Sequence, residues 1–251
     1  MNFLEPKSLS QLTLSTLAAA TLTASTAAAE EDWQWGAQLY FWGASVGGET
    51  TTGGNVDISI DKIIEDLNFG VMGTLVARND RLSLIADVIY LDVDESDSTS
   101  VNLGGASVPV TADIGLKGFI TTLGAGYRVL ETSGGSLDIT GGARALYLDG
   151  DVSVSGLGAP IAESESGTNW DAVIGFRGET NINEDWYFSY YADIGTGDSD
   201  LTWQAAAAIN YRLNSVDLTV GYRYLDWDLG EFGPFSEVTL SGAFLGVKVP
   251  F

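Results

Sequence analysis

The stretch LTWQAAAAINYRL, residues 201–213, decides the fold class. Its odd positions are all apolar, whereas its even positions carry Thr202, Gln204, Asn210 and Arg212 together with two alanines. Successive side chains of a β-strand point to opposite faces. An alternation with a period of two therefore predicts a strand with one apolar and one polar face.

The same alternation recurs in ten blocks between Trp33 and the C-terminus. The blocks lie at about 33–46, 69–78, 82–93, 113–129, 136–149, 168–181, 186–195, 201–213, 216–228 and 238–251. Short connections (79–81, 131–135, 183–185, 214–215) alternate with longer ones near 47–68, 94–112, 150–167, 196–200 and 229–237, and Pro109, Pro160 and Pro234 fall in the longer ones. Such a pattern is typical of a membrane barrel.

We therefore predict an all-β fold, a closed antiparallel up-and-down transmembrane barrel of about ten strands. Eight or twelve strands stay open, because 47–68 and 94–112 are long enough for extra pairing. The even number returns both termini to the same side of the membrane.

The N-terminal segment has the features of a secretory signal. Lys7 precedes an apolar run from Leu12 to Leu22, which ends before the small residues Ala27-Ala28-Ala29. The run is shorter than the ~20 residues that a spanning helix needs. We predict a removed signal peptide at 1–29 and one barrel domain at 30–251.

Aromatic residues on the apolar face predict that this face meets lipid. They fall near the strand ends and would form two rings at the headgroup levels. The outer ring is expected at Phe41, Tyr90, Phe119, Tyr147, Trp170, Trp203 and Tyr224, and the inner ring at Trp35, Tyr127, Trp186, Tyr211 and Phe251. A soluble sandwich would instead place its apolar faces in a core.

The opposite face carries charges of both signs and is predicted to line the barrel interior. The expected inward bases are Arg78, Arg128, Arg144, Arg177, Arg212, Arg223 and Lys248, and the acids are Asp87, Asp138, Asp171, Glu179, Asp193 and Asp217. One interpretation is a structural polar core of ion pairs. The other is a charged constriction that selects solutes, for which Arg144, Arg177, Arg223, Asp138, Asp171 and Asp217 are the candidate lining residues.

Composition excludes several classes of function. The net charge of −23 disfavours nucleic acid as a partner. The chain has no cysteine and no histidine, which removes histidine-dependent nucleophiles and the usual zinc ligands. We expect no enzyme activity, no cofactor and no metal site of that kind.

The C-terminal segment GVKVPF, residues 246–251, adds an assembly motif. Gly246, Val249 and Phe251 resemble the C-terminal signal by which outer-membrane barrels are recognised for assembly. The resemblance is to the broad family of small outer-membrane barrels and porin-like proteins. It implies a Gram-negative outer-membrane location and, as partners, the bilayer, lipopolysaccharide and the barrel assembly machinery. Barrel enzymes related to this family rely on a histidine that this chain lacks.

Two loop features carry further hypotheses. Acidic clusters at 92–97, 198–200 and 226–228 are either solvated surface charge or a divalent-cation site. Ile60, Ile63, Ile64 and Leu67 have helical spacing, with Asp61 as the expected N-cap, and predict a short amphipathic helix at the barrel mouth or rim.

Three functions stay open at this point. The first is a structural or weakly conducting outer-membrane barrel. The second is a porin-like channel for small polar solutes, and the third is a surface adhesion barrel that acts through its acidic loops. All three rest on the expectation that apolar side chains point away from the barrel interior and charged ones point into it.

Overall fold

The structure, a computed structural model, describes residues 33–50, 55–103, 106–155, 161–232 and 235–250. The predicted signal peptide (1–29), Pro160, Pro234 and Phe251 lie outside these residues. The elements are β1 (Gln34–Thr50), β2 (Asn55–Ile58), α1 (Ile60–Glu65), β3 (Leu67–Asn79), β4 (Leu82–Leu103), β5 (Ala106–Thr132), β6 (Gly135–Ser155), β7 (Ile161–Asn181), β8 (Trp186–Gly197), β9 (Leu201–Arg212), β10 (Asp217–Phe232) and β11 (Phe235–Pro250).

Ten of these strands form a closed antiparallel barrel, because β11 pairs with β1. The predicted closure and the count of ten are confirmed; the additional strand β2 pairs only with β1 at the rim. Following the paired residues from strand to strand around the barrel, a path that starts at Gly36 of β1 returns to β1 at Gly48. The strands are therefore staggered by 12 residues over one circuit. This stagger corresponds to a strand tilt of about 40°.

Connections differ in length from the prediction. We call the end that carries 80–81, 133–134, 182–185 and 213–216 the turn end, and the opposite end the loop end. At the loop end, most of 94–112 and 150–167 is paired strand and not loop, because the β4–β5 hairpin continues to Leu103 and Ala106. Pro109 is therefore in β5, opposite Ser100, and lies beyond the first described β5–β6 pair, Thr111 and Ser155.

The outer surface carries an apolar band between two aromatic rings. Leu39 and Val220 are 70% and 64% exposed within this band. Tyr90, Phe119 and Tyr147 are directly paired across three strands at the loop end. At the turn end, the rings of Trp186 and Tyr211 are 4.7 Å apart. An exposed apolar band with aromatic margins is what a bilayer requires of a barrel wall.

Helix α1 forms as predicted but begins differently. Its N-cap is Ser59 and not Asp61, which lies within the first turn. Ile63 is buried, and Ile60 packs over Gly43 of β1. Among the described residues, no helix has the length and apolar character needed to cross a bilayer.

The helix lies where the barrel wall is partly unpaired. β1 pairs with β3 only up to Leu39 and Gly73, and with β2 only from Val46 onward. Between Leu39 and Val46, the backbone N–H of Trp42 donates to the Met72 sulfur at 3.1 Å. A thioether is a weak acceptor, so the hydrogen-bonded wall is weakest here.

The loop-end half of the interior corrects the expectation of a charged lumen throughout. The inward face there is apolar and forms a cluster that we call the apolar plug: Trp42, Ala44, Met72, Ile89, Ile120, Leu146, Leu225, Trp227, Leu229, Val238 and Leu240. Leu225 and Trp227 have 0% exposure. Below the loop-end aromatic ring, the outward side chains are apolar and the inward ones polar. Above this ring the arrangement is reversed, because the outer wall faces water and the interior is closed by packed apolar side chains.

Candidate functional site: the barrel interior

Arg144 of β6 lies at the centre of the barrel, directly below the apolar plug. Its Nη2 donates to Asp193 of β8 at 2.5 Å, and its Nη1 donates to Thr202 at 3.1 Å. The guanidinium lies 6.0 Å from the Trp227 ring centroid. Arg144 is thus a fully paired, buried cation that joins three strands to the plug.

Arg223 of β10 holds a second mid-barrel network. Its Nη2 donates to Asp87 at 3.0 Å, its Nη1 to the Tyr40 hydroxyl at 2.9 Å and its Nε to Gln204 at 2.6 Å. The guanidinium also lies 4.9 Å from the Trp42 ring centroid. Charge-assisted bonds of this kind are the strongest that side chains make in a protein interior.

A third group of paired charges lies near the turn end. Asp138 accepts from both Arg78 and Arg128 at 2.8 Å. Lys248 donates to Glu179 at 2.8 Å, and Asp217 accepts from the Tyr187 hydroxyl at the same distance. Except for Arg128–Asp138, which joins the consecutive strands β5 and β6, these pairs link strands that are not consecutive in sequence.

Asp171 does not line a solute path. Its Oδ1 accepts from the backbone N–H and the hydroxyl of Ser199, in the short β8–β9 connection. Both residues are buried. Asp171 therefore anchors a loop, a contact that the sequence analysis did not predict.

A cavity of about 190 Å³ lies between the mid-barrel networks and the turn end. Its polar wall includes Thr74, Thr140, Ser189 and Tyr191, and its apolar wall includes Ile85, Val173, Ala206 and Phe244. Arg177 faces this cavity. Among the described residues, no hydrogen bond or ion pair joins its guanidinium to another group.

Of the six candidate lining residues, only Arg177 and Arg223 reach the cavity wall. Arg144, Asp138, Asp171 and Asp217 are turned toward other protein groups, because each is bonded to a charged or hydroxyl partner as described above. The sequence analysis missed the plug and the polar partners Tyr40, Gln204 and Tyr191, whose hydroxyl donates to Asp193.

One sequence signal could have revealed the plug. The triplet Tyr-Leu-Asp occurs at 90–92, 147–149 and 224–226. In each copy the tyrosine hydroxyl donates to the aspartate on the outer wall, and the leucine between them points inward to the plug or packs against it. The repeat marks the level at which the two faces exchange polarity.

The acidic loop clusters have structural partners. Asp198 accepts from the backbone N–H of Trp170 at 2.9 Å, and Asp226 accepts from Thr239 at 2.7 Å. In the described part of the chain, no group of three or more acidic side chains is arranged to hold a metal ion. The cation-site hypothesis therefore has no geometric support there.

These features define a class: a membrane-spanning β-barrel with an apolar exterior and a filled, ion-paired interior. No family model matches the sequence, and neither does any curated protein.

Three solved structures of similar shape are proteins of bacteria. The translocator domain of the autotransporter NalP from Neisseria meningitidis is 13% identical with a TM-score of 0.47, covering 87% of this chain and 88% of that one. Ail, the attachment invasion locus protein of Yersinia pestis, is 14% identical with a TM-score of 0.35, covering 87% and 98%. The transport unit of the autotransporter AIDA-I from Escherichia coli is 10% identical with a TM-score of 0.40, covering 92% and 94%. With overlaps this low, the class rests on the chain's own geometry.

Proposed function

We propose that this chain is an integral outer-membrane barrel whose interior is closed, with a structural and not a conducting or enzymatic role. The apolar band and the aromatic rings support residence in a bilayer. The orientation follows from the short turns, which face the periplasm in barrels of this class.

The apolar plug is the observation that carries the closed interior. Trp227 and Leu225 are fully buried at its centre, and the Arg144–Asp193 ion pair lies directly beneath. A hydrated ion would have to displace packed side chains and then break a buried ion pair. Both steps are costly in a low-dielectric interior.

Single-channel recording in planar bilayers tests this proposal. We expect the wild-type barrel to show no steady conductance. The double variant Trp227→Ala, Leu225→Ala removes two fully buried side chains from the plug. It should produce current steps more often than wild type. Trp203→Ala, which removes a tryptophan from the outer wall one strand away, is the matched control. Steady conductance of the wild-type barrel would reject a closed interior.

A second candidate function, surface binding, is favoured by the extension of β4–β7. Leu103 is 13 residues beyond Tyr90 of the aromatic ring, which corresponds to roughly 30 Å of projection. The first β3–β4 pair is Leu67 and Val93, and the last β7–β8 pair is Asp171 and Gly197. Asp94 and Trp170, next to these pairs, still bond Asp66 and Asp198 through their backbones. Farther out, β4 and β7 have a second neighbouring strand nowhere among the described residues, and such edges can pair with another polypeptide.

Shortening the extension tests the second candidate. A two-residue Asn-Gly turn can replace residues 98–111, because Asp97 and Ala112 are paired across the hairpin. Cells that display equal amounts of folded barrel are compared for adhesion to a eukaryotic cell layer. Weaker adhesion of the shortened barrel is expected if the extension binds; equal adhesion would exclude that role.

A further inference from the structure

We propose that the turn-end half of the interior binds a small carboxylate with a short apolar body, and that Arg177 is its anion-binding residue. The site lies below the apolar plug, so a ligand enters from the turn end. The proposal does not depend on whether the barrel conducts.

The first argument is that, among the described residues, no carboxylate forms a hydrogen bond or ion pair with Arg177, and its electrostatic interaction with Glu179 is shared with Lys248, which bonds that carboxylate directly. Its register neighbours are Asp138 on β6 and Tyr191 on β8. Both carboxylate oxygens of Asp138 already accept from Arg78 and Arg128. A guanidinium without an anion inside a barrel is costly, and a bound carboxylate would supply two parallel hydrogen bonds.

The second argument is the charge balance of the turn-end half. Its inward bases are Arg78, Arg128, Arg177, Arg212 and Lys248, and its inward acids are Asp138, Glu179 and Asp217. Glu131, exposed at the rim, also pairs with Arg128, so the difference is 5 − 4 = 1 positive charge. Glu179 and Asp87 also line the cavity, but they accept from Lys248 and Arg223 respectively. An anion therefore finds attraction from Arg177 without an unpaired carboxylate opposite.

The third argument is the size and lining of the cavity. A cavity of about 190 Å³ is more than ten times the roughly 10–15 Å³ that one enclosed water needs, so it has room for a small organic molecule. Ile85, Val173, Ala206 and Phe244 form an apolar wall for the body of the ligand. This combination of one unpaired cation and an apolar wall favours a carboxylate such as benzoate over inorganic phosphate.

The test is calorimetric titration of the detergent-solubilised barrel with benzoate and with benzamide, its uncharged analogue, against micelles alone. We expect benzoate to bind at least tenfold more tightly than benzamide, since hydrogen bonds to a charged group are strong. Arg177→Gln should abolish this preference. Arg212→Gln is the matched control, because Arg212 bonds Asn181 and the Glu184 carbonyl at the rim and is outside the cavity wall.

Heat-modified gel migration shows whether each variant is folded. If Arg177→Gln does not fold, the wild-type comparison of benzoate with benzamide decides alone. Equal binding of the two compounds, or no benzoate binding to wild type, would overturn the proposal. So would benzoate binding that survives in folded Arg177→Gln.

Discussion

Arg144 and Asp193, 49 residues apart in sequence, form an ion pair at the centre of the barrel with 0% and 1% of their side chains exposed. Neither residue lies on a neighbouring strand of the other, since β7 separates β6 from β8. The pair therefore spans the inner face of β7 and fixes the spacing of two strands that the backbone ladder does not join directly.

Asp193→Asn should destabilise the barrel strongly, because it removes the negative charge that balances the buried Arg144 guanidinium. We expect a loss of about 3–5 kcal/mol in the free energy of unfolding, measured by urea denaturation in lipid vesicles. Lys248→Gln, at the half-exposed pair with Glu179, should cost about 1 kcal/mol or less because solvent screens that pair. Equal losses for the two variants would contradict the central role of the Arg144 pair.

Ile174→Lys tests whether the apolar band faces lipid. Ile174 is on the outer wall, 63% exposed, four residues from Trp170 of the loop-end ring. A lysine there should cost about 2–4 kcal/mol in a bilayer and lower the yield of folding into vesicles. Glu237→Lys, on the outer wall but beyond the band, is the control and should fold normally. Normal folding of Ile174→Lys would argue against a lipid-facing surface.

Gly142→Ala tests the close approach of β5 and β6. A Cβ at Gly142 would lie 2.2 Å from the Leu123 carbonyl oxygen, whereas a Cβ at Gly141 meets nothing closer than 3.8 Å. We expect Gly142→Ala to lower the free energy of unfolding by about 1–3 kcal/mol and Gly141→Ala to leave it nearly unchanged. Two variants of equal stability would show that the wall adjusts freely at this point.

The interrupted pairing of β1 and β3 should be visible in amide hydrogen exchange. The Trp42 N–H donates to a sulfur, whereas Gln38 is in a paired part of the same strand, opposite Thr74. Trp42 should therefore exchange faster than Gln38 in spectra of the folded barrel, since weakly bonded amides open more often. Slower exchange at Trp42 would mean that the wall is continuous there.

The period of two was sufficient to predict the closed barrel, the count of ten and the two aromatic rings. In the segment 201–213, for example, the alternation places Trp203 and Tyr211 on one face whatever the partners are. The same reasoning put all thirteen charges on the inward face. It did not show that Asp171 holds a loop, because Ser199 is its partner only through tertiary structure.

The sequence by itself determined which residues share a face of each strand, because side-chain alternation is a local property of the extended backbone. Only the tertiary structure decided the apolar plug, the pairing of Arg144 and Arg223, and the unpaired state of Arg177. These features depend on which inward side chains meet inside the barrel and on the level of each residue relative to the bilayer. Both are set when the barrel closes with a stagger of twelve residues.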